Sequence, residues 1–234
     1  MEKVIIINSI FNKLKKKHEK NNPNPQIVLT KKWIEERMNV FMNSTSTSLQ
    51  KQTNQNFIAI IQYEDSTEKM IFEALQKYPN LPENIMFIRS SKAAHLISQK
   101  IRDFQKLYLV RIDSDDMYHS NFVNILHKYN PMPKTKALIN QHGFIYDSIH
   151  HRLAPFHRES PPFYTFIYNT EDYLNGTRYK ISTHREAIQL PHEVLKGNNF
   201  MVNIHSINSS TTFDKRTGKP VNKKDINRIL NYFK

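Results

Sequence analysis

Leu107-Tyr108-Leu109-Val110-Arg111-Ile112-Asp113-Ser114-Asp115-Asp116 is the stretch that decides how this chain is read. A run of apolar and β-branched residues predicts a buried strand, and it ends abruptly in three carboxylates within four positions. Carboxylates packed this closely repel one another, so each holds a proton more tightly unless a cation neutralises the group. Hard divalent ions such as Mg²⁺ and Mn²⁺ prefer oxygen ligands, commonly one or two carboxylates together with substrate phosphates. A strand that delivers Asp113, Asp115 and Asp116 to its carboxyl end therefore reads as a metal–diphosphate site, placed where open α/β sheets bind ligands. The competing reading is a turn and cap, with Asp116 or Ser120 capping a helix over 121–129.

Upstream of this tip the pattern alternates. Short strands are predicted over 26–30, 57–63 and 85–88, and helices over 33–50, 67–78 and 92–104. The first helix carries Trp33, Ile34, Arg37, Met38 and Phe41 at helical spacing, and its Ser/Thr-rich part, 43–48, is expected to fray or bend. Strands separated by helices of this length imply a largely parallel sheet covered on both faces. Beyond residue 130 the texture changes. Segments 136–147 and 152–156 read as an antiparallel pair with His150-His151 at the hairpin tip. Strands follow at 164–168 and 200–204, and a terminal helix at 225–233. The expected organisation is a basic segment, 1–25, before one domain, 26–234. That domain comprises a nucleotide half at 26–116, an acceptor half at 117–212 and a C-terminal helix at 225–234.

Composition narrows the classes. The chain has 234 residues, 38% of them hydrophobic, with 14 Phe and 11 Tyr, which suits one globular domain with a substantial core. It has no cysteine, so disulfides, thiolate metal sites and Cys nucleophiles are excluded. No signal-peptide pattern or membrane-length apolar run is read, and a cytoplasmic location is expected. The net charge of +13, with lysines gathered at 13–20 and 215–224, favours anionic partners. A solvated face is the plain reading of such clusters, and contact with an anionic membrane surface the main alternative. Only four glycines are present, with no G-x-G-x-x-G and no Walker loop. Phosphate would have to be held by a metal and basic side chains.

Three features resemble a known family when taken in order. They are the helix leading into Ser48-Leu49-Gln50-Lys51-Gln52-Thr53, the strand 57–63 followed by the acid Asp65, and Val110 to Asp116 with Phe122 in the next helix. A late His205-Ser206-Ile207-Asn208 is similar to a His-x-x-Asn that closes the same domain. The arrangement resembles GT-A glycosyltransferases with a DxD motif and, more narrowly, the bacterial putative rhamnosyltransferase family. This likeness runs over about 26–212.

The resemblance implies a three-layer α/β/α GT-A fold with a mainly parallel mixed sheet. It implies a nucleotide-diphosphate sugar as donor, Mn²⁺ or Mg²⁺ as cofactor, and a glycan or cell-envelope acceptor at the inner face of the membrane. Asp115, Asp116 and His205 then become metal candidates, and Asp113 and Asp65 contacts to the ribose or base. Arg111 is carried as a substrate-binding candidate, although its strand position also lets it point into the layers. An acceptor hydroxyl needs a base, for which Glu171, Asp172 and Glu193 stand as candidates beside Glu186. Glu171-Asp172 reads equally well as the first turn of a helix. His142, His184 and His192 compete with His205. Aromatic residues between Phe144 and Tyr179 are core or the acceptor wall.

Two rival classes share the same residues. A nucleic-acid-binding or metal-dependent nuclease protein would use the positive charge, but needs further acids around a two-metal centre and lacks an RNA-type aromatic pair. No nucleic-acid partner is expected. The other rival is a non-catalytic module with a degenerate transferase fold, against which the intact Asp113-Ser114-Asp115-Asp116 argues.

Overall fold

A computed structural model describes residues 2–14, 25–207, 212–213 and 218–234. Residues 15–20 and 215–217 of the two lysine clusters, and Asn208 of the His-x-x-Asn, lie outside the described residues.

The chain opens with β1 (Lys3–Ile10), in which Val4, Ile5, Ile6 and Ile7 are all buried. An apolar run buried on both faces is what a central parallel strand requires. β1 lies inside the stretch 1–25 that was expected to precede the domain, and it is instead an inner strand of the sheet. The strand expected over 26–30 is a 3-10 turn, Pro25–Leu29. Thr30 decides this, because its hydroxyl donates to Ile27 O and accepts from Trp33 N–H, which makes it the N-cap of α1 (Lys31–Phe41).

Helix α1 continues through a π turn, Met42–Ser46, into α2 (Thr47–Gln50). Next come β2 (Ile58–Tyr63), α3 (Glu68–Leu75), β3 (Ile85–Arg89) and α4 (Ser90–Lys100). The quoted stretch forms β4 (Lys106–Asp113), followed by β5 (Met117–Tyr118) and α5 (Phe122–Lys128). The expected segment 136–147 is split into β6 (Ala137–Ile139) and β7 (His142–Asp147), which lie in different sheets. β8 (Arg152–His157) and β9 (Tyr164–Asn169) follow, then α6 (Thr170–Leu174) and β10 (His192–Val194). β11 (Phe200–Ile204) and α7 (Lys223–Leu230) close the chain.

The main sheet has seven strands in the order β10-β6-β9-β4-β1-β2-β3, with only β9 antiparallel to its neighbours. Side chains of α1, α3 and α5, including Ile34, Phe41, Ile71 and Leu126, pack with Ile5, Ile7 and Val110 in one cluster. Ala93 and Ile97 of α4 and Tyr173 of α6 pack with Ile6, Ile60 and Leu107 in another. Successive strand residues point to opposite faces, so these two sets form the outer layers of an α/β/α sandwich. The expected GT-A three-layer architecture is what the chain adopts. β1 has β2 on one side and β4 on the other, so the chain reverses direction there across the sheet. That switch point is where open sheets leave a crevice at their carboxyl ends.

A second sheet, β5-β11-β7-β8, is covered by α7 through Ile226 and Leu230. β11 lies so close to β7 that a Cβ added at Gly143 would meet the Phe200 carbonyl oxygen at 2.3 Å. The close fit brings the end of β11 to the acidic tip of β4.

Candidate functional site

The tip is held from below by the Ser/Thr-rich helix. Thr45 Oγ1 donates to Asp116 O at 2.7 Å, and Ser48 Oγ donates to Tyr118 O at 2.9 Å while accepting from Tyr118 N–H at 2.8 Å. Gln52 Nε2 donates to His119 O at 3.0 Å, and its Oε1 accepts from Val123 N–H at 3.0 Å. Thr45, Ser48 and Gln52 recur at the spacing of one helix face, so a single polar stripe grips the loop after β4. The expected bend is real. It is the π turn, a form that concentrates at functional sites.

Arg37 reaches the tip from α1. Its Nε and Nη2 donate to Ser114 Oγ at 3.2 and 2.9 Å, and its Nη1 donates to Asp115 Oδ2 at 2.9 Å. His205, just after β11, brings Nε2 to the same carboxylate oxygen at 3.0 Å and lies 3.4 Å from the guanidinium. Burial works against the Asp115 charge, but Arg37 and His205 outweigh it and hold the carboxyl down to about 2. Asp116 is turned inward, with Oδ1 accepting the Asn203 N–H at 3.1 Å. Burial, with repulsion from Asp115 and Asp113 added, pushes its proton affinity well above the carboxylate range. Asp116, expected among the metal contacts, has this oxygen tied to β11 instead. Asn203 Oδ1, beside it, is buried with no hydrogen-bond partner among the described residues.

On the other face of β4, Arg111 donates to Asp113 Oδ1 at 2.8 Å and to Pro162 O at 2.7 Å. Burial raises the Asp113 proton affinity, Arg111 opposes it and Asp115 adds to it. Its side chain is 44% exposed, so water tempers that push. Asp113 lines a cleft of about 250 Å³ together with Asn8, Ile10, Arg111, Tyr164 and Phe166. Asn8 Oδ1 accepts from Gln62 Nε2 at 2.6 Å. This cleft occupies the β1/β4 switch point. His184 lies close enough to feel Arg111 and Asp113. Burial, with Arg111 second, lowers its proton affinity. Ser160 Oγ donates to the His184 carbonyl at 2.8 Å and fixes that segment to the loop before β9.

The remaining candidates fall elsewhere. Asp65 stands at the same carboxyl edge, but its carboxylate accepts from the backbone N–H and the hydroxyl of Ser91 in the first turn of α4. Ser91 thereby lowers its proton affinity. Glu171 and Asp172 lie in the first turn of α6. Because β9 is antiparallel, Asn169 is opposite Lys106, the far end of β4 from Asp113. At about 3.3 Å per residue this puts them roughly 20 Å or more from the tip, so they are not bases for this site. Glu193 is also withdrawn from that role. It lies on the outermost strand and accepts from Tyr129 Oη at 2.8 Å, Met132 N–H at 2.9 Å and the Thr135 hydroxyl, which organises the turn after α5.

Sequence reading did not single out Arg37, Ser114 or Asn203 as site residues. Arg37 did carry a signal: it lies on the stripe of Ile34, Met38 and Phe41, all fully buried, and an arginine there needs an acidic partner.

The three-layer architecture, with an acidic strand tip at the switch point, is a fold of the GT-A type. Residues 9–145, more than half the chain, match the family described as "Putative rhamnosyl transferase". The chain belongs to that family. Among solved structures, S. aureus TarS 1-349 in complex with UDP is similar at 13% identity and TM-score 0.45, over 87% of this chain and 61% of that one. A second structure of S. aureus TarS 1-349 aligns at 13% identity and TM-score 0.46, over 87% of this chain and 60% of that one. The 4-diphosphocytidyl-2C-methyl-D-erythritolsynthase from Anaerococcus prevotii aligns at 13% identity and TM-score 0.36, over 98% and 96%. The chain spans about 60% of the length of TarS 1-349. No curated protein sequence matches it. Among the described residues no helix is long and apolar enough to cross a membrane.

Proposed function

We propose that this chain transfers a sugar from a nucleotide-diphosphate donor to a hydroxyl of a glycan or other cell-envelope acceptor, with Mn²⁺ or Mg²⁺ at the β4 tip. One observation carries the reading: Asp113 and Asp115 crowd the carboxyl end of β4, with the His205 imidazole 3.0 Å from Asp115, beside the cleft at the β1/β4 switch point. The donor chemistry fits a hard divalent ion through the carboxylates of Asp113 and Asp115, with the His205 imidazole alongside. When bound, such an ion supplies Lewis-acid stabilisation of the diphosphate leaving group.

The chain's own residues do the rest. Asp115 is fixed by Arg37 and His205, and Asp116 anchors β11 so that His205 stays at the tip. The cleft beside Asp113 offers Tyr164 and Phe166 for stacking and the Asn8 amide for hydrogen bonding, groups suited to the donor. Glu171, Asp172 and Glu193 lie elsewhere, and His184, near enough to Arg111 and Asp113 to feel both charges, is the residue we assign to take the proton of the acceptor hydroxyl. The charge of +13 supports work at an anionic surface such as the inner face of a membrane.

The test is a thermal-shift panel of UDP-, GDP- and dTDP-sugars with and without Mn²⁺. A binding-competent donor raises stability by mass action, by about 2.7 kcal/mol at a hundredfold excess over Kd. No shift with any sugar nucleotide, in either cation condition, defeats the reading.

A further inference from the structure

We propose that Arg37 is a positioning residue that stands in for the divalent ion. Its guanidinium holds Asp115 and His205 ready and keeps a free ion out, so that ion and diphosphate enter together. The inference rests on the reading of the β4 tip as the donor site.

The geometry is that of a filled cation position. Asp115 Oδ2 receives the guanidinium Nη1 at 2.9 Å and faces His205 Nε2 at 3.0 Å, while the guanidinium itself lies 3.4 Å from that imidazole. Two further guanidinium nitrogens are spent on Ser114 Oγ, at 3.2 and 2.9 Å. The Arg37 side chain is 12% exposed and Asp115 14%, so this pair is screened from water. Arginine cannot shed its charge, and its planar fork spans Ser114 Oγ and Asp115 Oδ2 at once, as a flexible ammonium would not.

A free ion arriving here meets two obstacles. It must displace a guanidinium from a mostly buried carboxylate, leaving that positive charge without its partner. It also finds an incomplete ligand set, because no three His, Asp or Glu side chains among the described residues converge into a metal-holding group. A diphosphate removes both obstacles. Its oxygens complete the coordination of a hard cation, and its negative charge gives the displaced fork a new bidentate partner. Arg37 thus couples ion binding to donor binding.

The test uses chelator-stripped, nucleotide-free protein titrated with Mn²⁺, with free ion read by electron paramagnetic resonance. Arg37→Gln is expected to bind Mn²⁺ alone about tenfold more tightly than wild type, the effect of removing one competing charge at this distance. The same variant is expected to bind Mn²⁺–UDP, or whichever nucleoside diphosphate wild type prefers, more weakly. A purely structural role for Arg37 would lower both affinities. Equal or weaker Mn²⁺ binding by folded Arg37→Gln overturns the proposal, as does wild type that takes up Mn²⁺ equally well with and without nucleotide. Should circular dichroism show Arg37→Gln unfolded, Arg37→Met decides: it removes the charge, keeps most of the side-chain stem, and must still bind Mn²⁺ alone more tightly than wild type. The donor reading fails separately, when wild type binds no sugar nucleotide in any cation.

Discussion

Arg37 and Asp115 stand 78 positions apart in the chain and 2.9 Å apart in the fold, an ion pair that joins the first helix of the domain to its acidic tip. Ser114 and His205 complete the contact, so one carboxylate draws together α1, the β4 tip and the end of β11.

Asp115→Ala therefore has two effects. It leaves the Arg37 guanidinium mostly buried without a carboxylate, which costs about 3 kcal/mol, the usual scale for breaking a buried pair. It also removes a contact to the donor site. Chemical denaturation should show the loss in apo protein, and a transferase assay a fall of at least about a hundredfold. Unchanged stability would show that the ion pair is not formed in solution.

Ser48→Ala tests the clamp under the tip. The change strands the N–H and the carbonyl of Tyr118, each of which bonds the Ser48 hydroxyl. Leaving buried polar groups unpaired costs about 1–3 kcal/mol. The expected signature is lower stability together with weaker sugar-nucleotide binding, because the loop that presents Asp113 to Asp116 loosens. Calorimetry on the variant measures both.

Gly143→Ala reaches the tip from the second sheet. Its new methyl meets the Phe200 carbonyl, a backbone atom that cannot swing aside. The cost is about 3 kcal/mol or more, at the upper end of overpacking. β11 carries Asn203 and precedes His205, so its displacement should also reduce donor affinity.

Acid should unfold the protein through two carboxylates. Burial opposes the charge of Asp147, but Arg152 and His150 prevail and hold it down to about 2, as Arg37 and His205 do for Asp115. Both folded values lie below the ordinary 3.8, so the folded state binds protons less readily than the unfolded chain. The stabilisation is complete above about pH 4 and is lost as pH falls toward 2, about 2 kcal/mol for each group. Asp147→Asn should flatten that part of the stability–pH curve, measured by denaturant midpoint; an unaltered curve would remove Asp147 from the account.

Glu171→Ala and Asp172→Ala should leave turnover within a factor of about two, since exposed first-turn acids contribute little beyond the helix dipole. His184→Ala should lower kcat by about a hundredfold or more while the donor still binds. A large loss at Glu171 or Asp172 with none at His184 would reverse this assignment.

Side-chain periodicity and turn chemistry act within a few residues, so the alternation of strands and helices, the apolar run of β4 and the carboxylates at its end are legible along the chain. The same holds for β1, whose run of Val4 to Ile7 has the composition of an inner strand. Which acids meet is set by long-range packing. Tyr164 to Asn169 reads as the same strand whether it runs parallel or antiparallel, yet its direction alone sends Glu171 and Asp172 to the far edge of the sheet. The inward turn of Asp116 and the grip of Arg37 on Asp115 likewise depend on pairings between residues far apart in the chain, which no local pattern encodes.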